Sequence, residues 1–196
     1  MGGEGQLHQG GDRSTFIELN QYAEVMAPRR DYAGQTCSLS RTLEIVGERW
    51  SLLIVRDAFL GVRRFGDFAA HLGLPRAVLA DRLKSLTEAG VLASAGDGTP
   101  GYVLTDKGTL LWPAVAALTI WGEEFYAPDG RRSILTHEAD GGLIDQAGRC
   151  ADCQHLVGVR DAVLRPGPGL KTPGPDADPV SMALMAPHRL LQPLLD

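Results

Sequence analysis

At 196 residues, 44% of them hydrophobic and 22% charged, the chain has the size and composition of a globular protein with one well-cored domain and an appendage, or with two small domains. No run of about 18 apolar residues is present to span a bilayer, and the N-terminal Met-Gly-Gly-Glu-Gly stretch has no apolar segment of signal-peptide type, so a cytoplasmic protein without membrane attachment is expected. The net charge of −5 opposes a nucleic-acid partner only as a sum, because between positions 62 and 84 Arg63, Arg64, Arg76, Arg82 and Lys84 face only Asp67 and Asp81.

Residues 1–28 form a Gly-rich, polar arm expected to be partly disordered, with a weakly amphipathic stretch through Phe16, Leu19, Tyr22 and Met26 that stops before Ala27-Pro28. From Ser38 the apolar period is helical. Leu39, Leu43 and Val46 recur, and Gly47 closes the run. Trp50 to Leu60 is apolar almost all round and reads as a buried helix ended by Gly61. Phe65, Phe68, Ala69 and Leu72 stripe a short helix before Gly73. Pro75 then opens a second helix, with Val78, Leu79, Leu83 and Leu86 predicted on its buried side and Gly90 at its end. Two short helices joined by a glycine-containing turn, with the far side of the second left free, are a helix-turn-helix.

Val91 to Ala95 and Gly101 to Leu104 flank a Gly-Asp-Gly-Thr-Pro turn and predict a two-stranded hairpin, the wing. Thr105 is placed to cap the next helix, whose apolar face through Leu110, Leu111, Val115, Leu118 and Trp121 is wider than so small a fold needs. The aromatic residues Trp112, Trp121, Phe125 and Tyr126 read as core at helical spacing, with a small-molecule cavity as the alternative. Past Ala127-Pro128 the chain turns rich in Gly, Pro and Asp, until Val180 to Leu195 regains enough Leu and Met for short docking segments. The expected architecture is mainly α with a small β-hairpin wing: an arm at 1–28, a winged helix-turn-helix with dimerisation helices at 29–126, and an irregular C-terminal extension at 127–196.

Cys37-Ser-Leu-Ser-Arg-Thr-Leu-Glu-Ile-Val-Gly-Glu-Arg-Trp50, Arg63-Arg64-Phe65, Leu79-Ala-Asp-Arg-Leu83-Lys-Ser-Leu86, Ala89-Gly90-Val91 and Tyr102-Val-Leu-Thr-Asp-Lys-Gly108 together resemble the HxlR family of bacterial transcriptional regulators over about residues 29–126. The resemblance implies a regulator without enzymatic activity, binding double-stranded operator DNA as a homodimer built through its first and last helices, with repression expected over activation. In that geometry Pro75 to Ala89 enters the major groove, so Pro75, Arg76, Ala77, Ala80, Asp81 and Lys84 are the candidate readers, and Arg63 and Arg64 the phosphate contacts. The chain departs from the family pattern at Leu74-Pro75-Arg76-Ala77, where relatives often carry a serine cap and a basic residue, and in a wing without Lys or Arg, where relatives usually carry several. Weak wing anchoring and a shallow salt dependence of DNA binding are expected.

Three cysteines are an odd set for a disulfide framework. Cys37 starts the first family helix, where several relatives carry a redox-responsive cysteine, and a helix N-terminus favours its thiolate; packing in the dimer interface is the alternative. Cys150-Ala-Asp-Cys153 is half of a tetrahedral zinc site, completed from His137 and His155, with a reversible disulfide or a metal-free remnant as alternatives. No cofactor is required for the DNA function; zinc at Cys150 and Cys153 is the one candidate, and an oxidant or small molecule the candidate effector. The rival functions are a winged-helix protein-interaction or ligand-capture module without DNA binding, and a thiol-disulfide oxidoreductase using Cys150 and Cys153. The oxidoreductase reading is weakened because that chemistry places the pair at a strand-to-helix junction. His71, on the first of the paired helices, reads as a surface residue.

Overall fold

The computed structural model describes Tyr32, residues 34–96 and residues 101–195. The arm at 1–28, with the helix expected around Phe16, and the wing tip at 97–100 lie outside the described residues. Two compact units divide at Arg41, one comprising residues 1–41 and the other 42–196. Helix α1 (Ser38–Val46) runs through that boundary.

The larger unit begins with helices α2 (Ser51–Phe59), α3 (Phe65–Leu72) and α4 (Arg76–Glu88). Helix α2 is buried nearly all round, as its composition demands, with Ile54, Val55 and Phe59 at 0–1% exposure. Its one surprise is Asp57, fully buried in the middle of that apolar run. Asp57 accepts from Arg56 Nε (2.9 Å) and Nη2 (2.7 Å), and its second oxygen lies 2.8 Å from His71 Nδ1, so every oxygen of the buried carboxylate is partnered. His71 is therefore not a surface residue: its side chain is 15% exposed and ties α3 to α2.

Gly73, in the left-handed conformation, ends α3 and turns the chain into α4. Leu79, Leu83 and Leu86 recur at helical spacing and are fully buried, each contributing about 1.5–3 kcal/mol of burial. Val78, predicted on the same face, lies one residue off that stripe and is exposed. Strands β1 (Leu92–Ser94) and β2 (Tyr102–Leu104) pair antiparallel from Leu92↔Leu104 to Ser94↔Tyr102, forming the wing. Thr105 caps the short helix α5 (Asp106–Thr109) through the amide of Gly108, and α6 (Trp112–Phe125) follows.

The expected irregular extension is rich in loops but also carries a three-stranded antiparallel sheet. Strands β3 (Ser133–His137), β4 (Ala162–Pro166) and β5 (His188–Arg189) lie in that order, in register from Ser133↔Pro166 to His137↔Ala162 and with Leu164↔His188. A single-turn helix α7 (Pro179–Ala183) packs on α3. Glu123 on α6 accepts from the amides of Arg132 (2.8 Å) and Ser133 (3.2 Å), which fixes the start of β3. The indole of Trp112 donates to the Val157 carbonyl (3.4 Å), and the amides of Leu191 and Leu194 donate to the carbonyls of Phe59 and Gly61. Leu135, Ile144, Cys150, Val157, Ala162, Val180 and Leu190 consequently belong to the same core as Phe59, Leu83 and Trp112. Gly61 adopts φ +82° with its α-carbon pressed on the Gln192 carbonyl, leaving no room for a side chain.

Candidate functional site

Burying Leu79, Leu83 and Leu86 turns the other side of α4 to solvent. Arg76, Ala77, Ala80, Asp81 and Lys84 are all exposed there, and Pro75 is the residue preceding the helix, at φ −56° and ψ 133°. Pro75 supplies no amide where a helix start has no acceptor for one, so a serine cap is dispensable for starting this helix. The Arg76 guanidinium lies 4.8 Å from the centroid of the Phe65 ring, a cation–π contact between the starts of the paired helices. Lys84 reaches toward Glu88 (3.8 Å), an exposed pair worth little. Arg82 turns inward to Glu48 (3.5 Å) and also pairs with Asp81.

Arg63 and Arg64 immediately precede α3. Arg64 is exposed, and its carbonyl accepts from the amides of Asp67 and Phe68 as the helix begins. Arg63 is half-buried, and its carbonyl accepts from the Tyr102 amide (2.9 Å), so the segment carrying both arginines is bonded directly to the wing. Gly101, at φ +149°, comes so close that a Cβ would stand 2.7 Å from the Arg63 carbonyl oxygen.

Within the N-terminal unit, Cys37 precedes α1 and is exposed. Hydrogen bonds from the backbone of Ser40, then of Leu39, favour its thiolate and lower its pKa. The Ser40 hydroxyl in turn donates to the Cys37 carbonyl (2.6 Å).

The second constellation lies beyond β3. Strand β3 ends at His137; a tight turn through Asp140 and Gly141 returns along it by the bridge Thr136↔Leu143, and Ile144↔Cys150 then brings in the turn Cys150–Cys153. One ligand atom from each of His137, Asp140, Cys150 and Cys153 falls within 4.8 Å of the others. Cys150 Sγ is 3.2 Å from Asp140 Oδ1, Cys153 Sγ 3.4 Å from His137 Nδ1, and His137 Nδ1 3.2 Å from Asp140 Oδ1. Hydrogen bonds from the Cys153 thiol first, then from the Gly142 amide and the Cys150 thiol, hold the Asp140 carboxyl well below the usual carboxylate range. The neighbouring carboxylate raises the Cys153 thiol.

The structure thus brings together three of the four ligand candidates, His137, Cys150 and Cys153. His155 is not among the grouped residues: its carbonyl accepts from the Cys150 amide (2.9 Å) while the residue is exposed. Asp140 stands in the fourth place. Its signal in the sequence is a carboxylate three residues after His137, in a turn marked by Gly141-Gly142. The Cys-x-x-Cys pair occupies a turn between bridges, not the strand-to-helix junction of a dithiol oxidoreductase.

Of the aromatic residues read as core, only Trp112 is buried; it packs edge-on to Phe59 and lines a cavity of about 150 Å³ with Leu135, Leu164, Leu184 and Leu190. Trp121, Phe125 and Tyr126 are exposed and cluster on one another at the end of α6, with Leu118 exposed beside them. No helix among the described residues is long and apolar enough to cross a membrane.

The HxlR-like helix-turn-helix family profile matches residues 45–129. An uncharacterised helix-turn-helix-type transcriptional regulator of Mycobacterium tuberculosis is 41% identical over 139 residues, covering 68% of this chain and 88% of that protein. An uncharacterised regulator of the same type from Bacillus subtilis is 36% identical over 93 residues, covering 45% of this chain and 86% of its own length. The crystal structure of PA1607, a candidate transcription factor, superposes with a TM-score of 0.53 at 35% identity, covering 72% of this chain and 96% of that one. Paired helices α3 and α4, a hairpin wing and a long following helix are what these relatives' shared type requires, and the chain belongs to the HxlR-like helix-turn-helix family of transcriptional regulators.

Proposed function

We propose that the protein is a cytoplasmic, homodimeric transcriptional repressor that reads operator DNA through α4. The observation that carries this reading is the outer face of α4: the small Ala77 and Ala80 lie between the exposed cations Arg76 and Lys84, with the Asp81 carboxylate exposed among them and Arg64 exposed just before α3. Small residues let a helix approach base edges closely, and an arginine at the helix start is where a major-groove reader sits. In the free protein Arg76 rests on Phe65, so DNA binding exchanges a cation–π contact for a guanine edge. Arg63 and Arg64 contact phosphate, and the wing contributes little because its turn has no cation to offer.

The dimer forms through the apolar end of α6, where Leu118, Trp121 and Phe125 are exposed among the described residues. A dimer presents two α4 helices to two half-sites and excludes polymerase from the promoter. No cofactor takes part in reading the DNA. The exposed thiol of Cys37, its pKa lowered by hydrogen bonds from the backbone of Ser40 and Leu39, is the oxidant sensor in this reading.

Binding of the purified protein to its own upstream DNA tests the reading helix and the sensor. Arg76→Ala weakens binding by about 1–3 kcal/mol and relaxes base preference at one position per half-site, whereas Arg64→Ala weakens all sequences alike and lowers the salt slope by about one. Cys37→Ser binds normally but no longer responds to mild oxidant. Equal loss at every base position for Arg76→Ala removes its role as a reader, and an unchanged oxidant response in Cys37→Ser removes the sensor.

A further inference from the structure

We infer that His137, Asp140, Cys150 and Cys153 form a four-coordinate zinc site that holds the C-terminal loops in place. The site is independent of the DNA-binding reading. Three features of the structure carry it.

The first is spacing. A tetrahedral zinc with Zn–S of about 2.3 Å and Zn–N or Zn–O of about 2.0–2.1 Å separates its S and N or O ligands by about 3.5 Å and its N and O ligands by about 3.3 Å. The separations found are 3.2 Å for Cys150 to Asp140, 3.4 Å for Cys153 to His137 and 3.2 Å for His137 to Asp140. Three of the six separations therefore match that tetrahedron, and the remaining three lie within 4.8 Å.

The second is chemistry. Two sulfurs and an imidazole nitrogen select a borderline-soft ion over magnesium or calcium, and a carboxylate is a common fourth ligand. On binding, the two thiols release their protons to solvent, and the metal replaces the hydrogen bonds through which Asp140 now gathers the cluster. Two thiolates and one carboxylate around a dication leave a single net negative charge, with the imidazole neutral.

The third is the setting. Gly142 faces the Cys150 sulfur so closely that no side chain fits between them, and its amide donates to Asp140 (3.0 Å), so the turn is shaped around the ligand atoms. Around this turn, Leu143 and Leu156 are exposed, and the segments are joined by isolated bridges instead of long ladders. Ile144, Cys150 and Val157 anchor these loops to the core, and a metal would staple the turns between those anchors, which short bridges alone hold together.

The test uses the full chain, purified under reducing conditions without chelator. Elemental analysis finds about one zinc per chain, and replacement by cobalt gives the thiolate charge-transfer and visible bands of tetrahedral coordination. Cys150→Ser and Asp140→Asn lower zinc retention at least tenfold against a competing chelator, while His155→Ala retains it as the unaltered chain does. Where a variant fails to fold, protection of Cys150 and Cys153 from alkylation by added zinc in the unaltered chain gives the same answer. Absence of zinc together with no cobalt spectrum overturns the site, as does a Cys150–Cys153 disulfide that persists under reductant. Loss of zinc in His155→Ala with retention in Asp140→Asn overturns the ligand set.

Discussion

His188, on β5, has its Nε2 atom buried without a hydrogen-bond partner among the described residues, and burial pushes its pKa below the ordinary value against backbone hydrogen bonds with Gln192 and Leu60 that raise it. The folded chain therefore holds this imidazole neutral at a pH where the unfolded chain protonates it. Its effect on stability is nil above about pH 6.5 and becomes a loss as the pH falls from there toward the lower folded value. Thermal melts between about pH 7.5 and 5 should show a fall in midpoint that is smaller in His188→Gln; an equal fall in the variant assigns the acid sensitivity to other groups. At this scale the sequence was legible where a residue's neighbours along the chain determine its surroundings. Leu79, Leu83 and Leu86 followed from spacing, and Thr105 from its place before Asp106-Lys-Gly. Asp57 was not legible, because the residues that satisfy it are the adjacent Arg56 and His71, fourteen positions away. Asp140 was half legible: its place three residues after His137 is visible in the sequence, while its place beside two cysteines comes from the fold.

At the scale of elements, the wing and the turn before α3 are one mechanical piece. The amide of Tyr102 bonds the Arg63 carbonyl, and Gly101 passes over that carbonyl at a φ that only glycine adopts readily. Gly101→Ala should push β2 away from Arg63 and cost about 1–3 kcal/mol, from backbone strain and a compromised hydrogen bond. Urea unfolding should register this as a lower midpoint with an unchanged slope, and a midpoint equal to that of the unaltered chain would show the turn to be slack. Helices α2, α3 and α4 and the two wing strands were readable because period, glycine and proline agree along each segment. The sheet β3–β4–β5 was not, because its strands are short and widely separated, and β4 lies among Gly and Pro residues that locally favour loops.

For the whole molecule, the proposed dimer through the end of α6 is open to a direct test. Trp121→Glu places a charge in the exposed cluster with Phe125 and Tyr126 while leaving the core at Trp112, Val115 and Ala116 untouched. The expected outcome is a folded monomer by light scattering, with operator affinity reduced at least tenfold because one half-site is lost. A variant that remains dimeric would move the interface elsewhere. The winged helix itself could be recognised from its own residues, but the cover over Phe59 and Gly61 could not, since the amides of Leu191 and Leu194 reach them from more than 130 positions away.

That closure sets an order of events at birth. The paired helices and the wing leave the ribosome early, yet the carbonyls of Phe59 and Gly61 and the apolar surface under Leu190 wait for residues some 130 positions later in the chain. At about 5–20 residues per second, the nascent DNA-reading unit spends several seconds to tens of seconds with that flank open to water and to chaperones. A regulator assembled this way acquires its finished form only after the segment bearing Cys150 and Cys153 has been made.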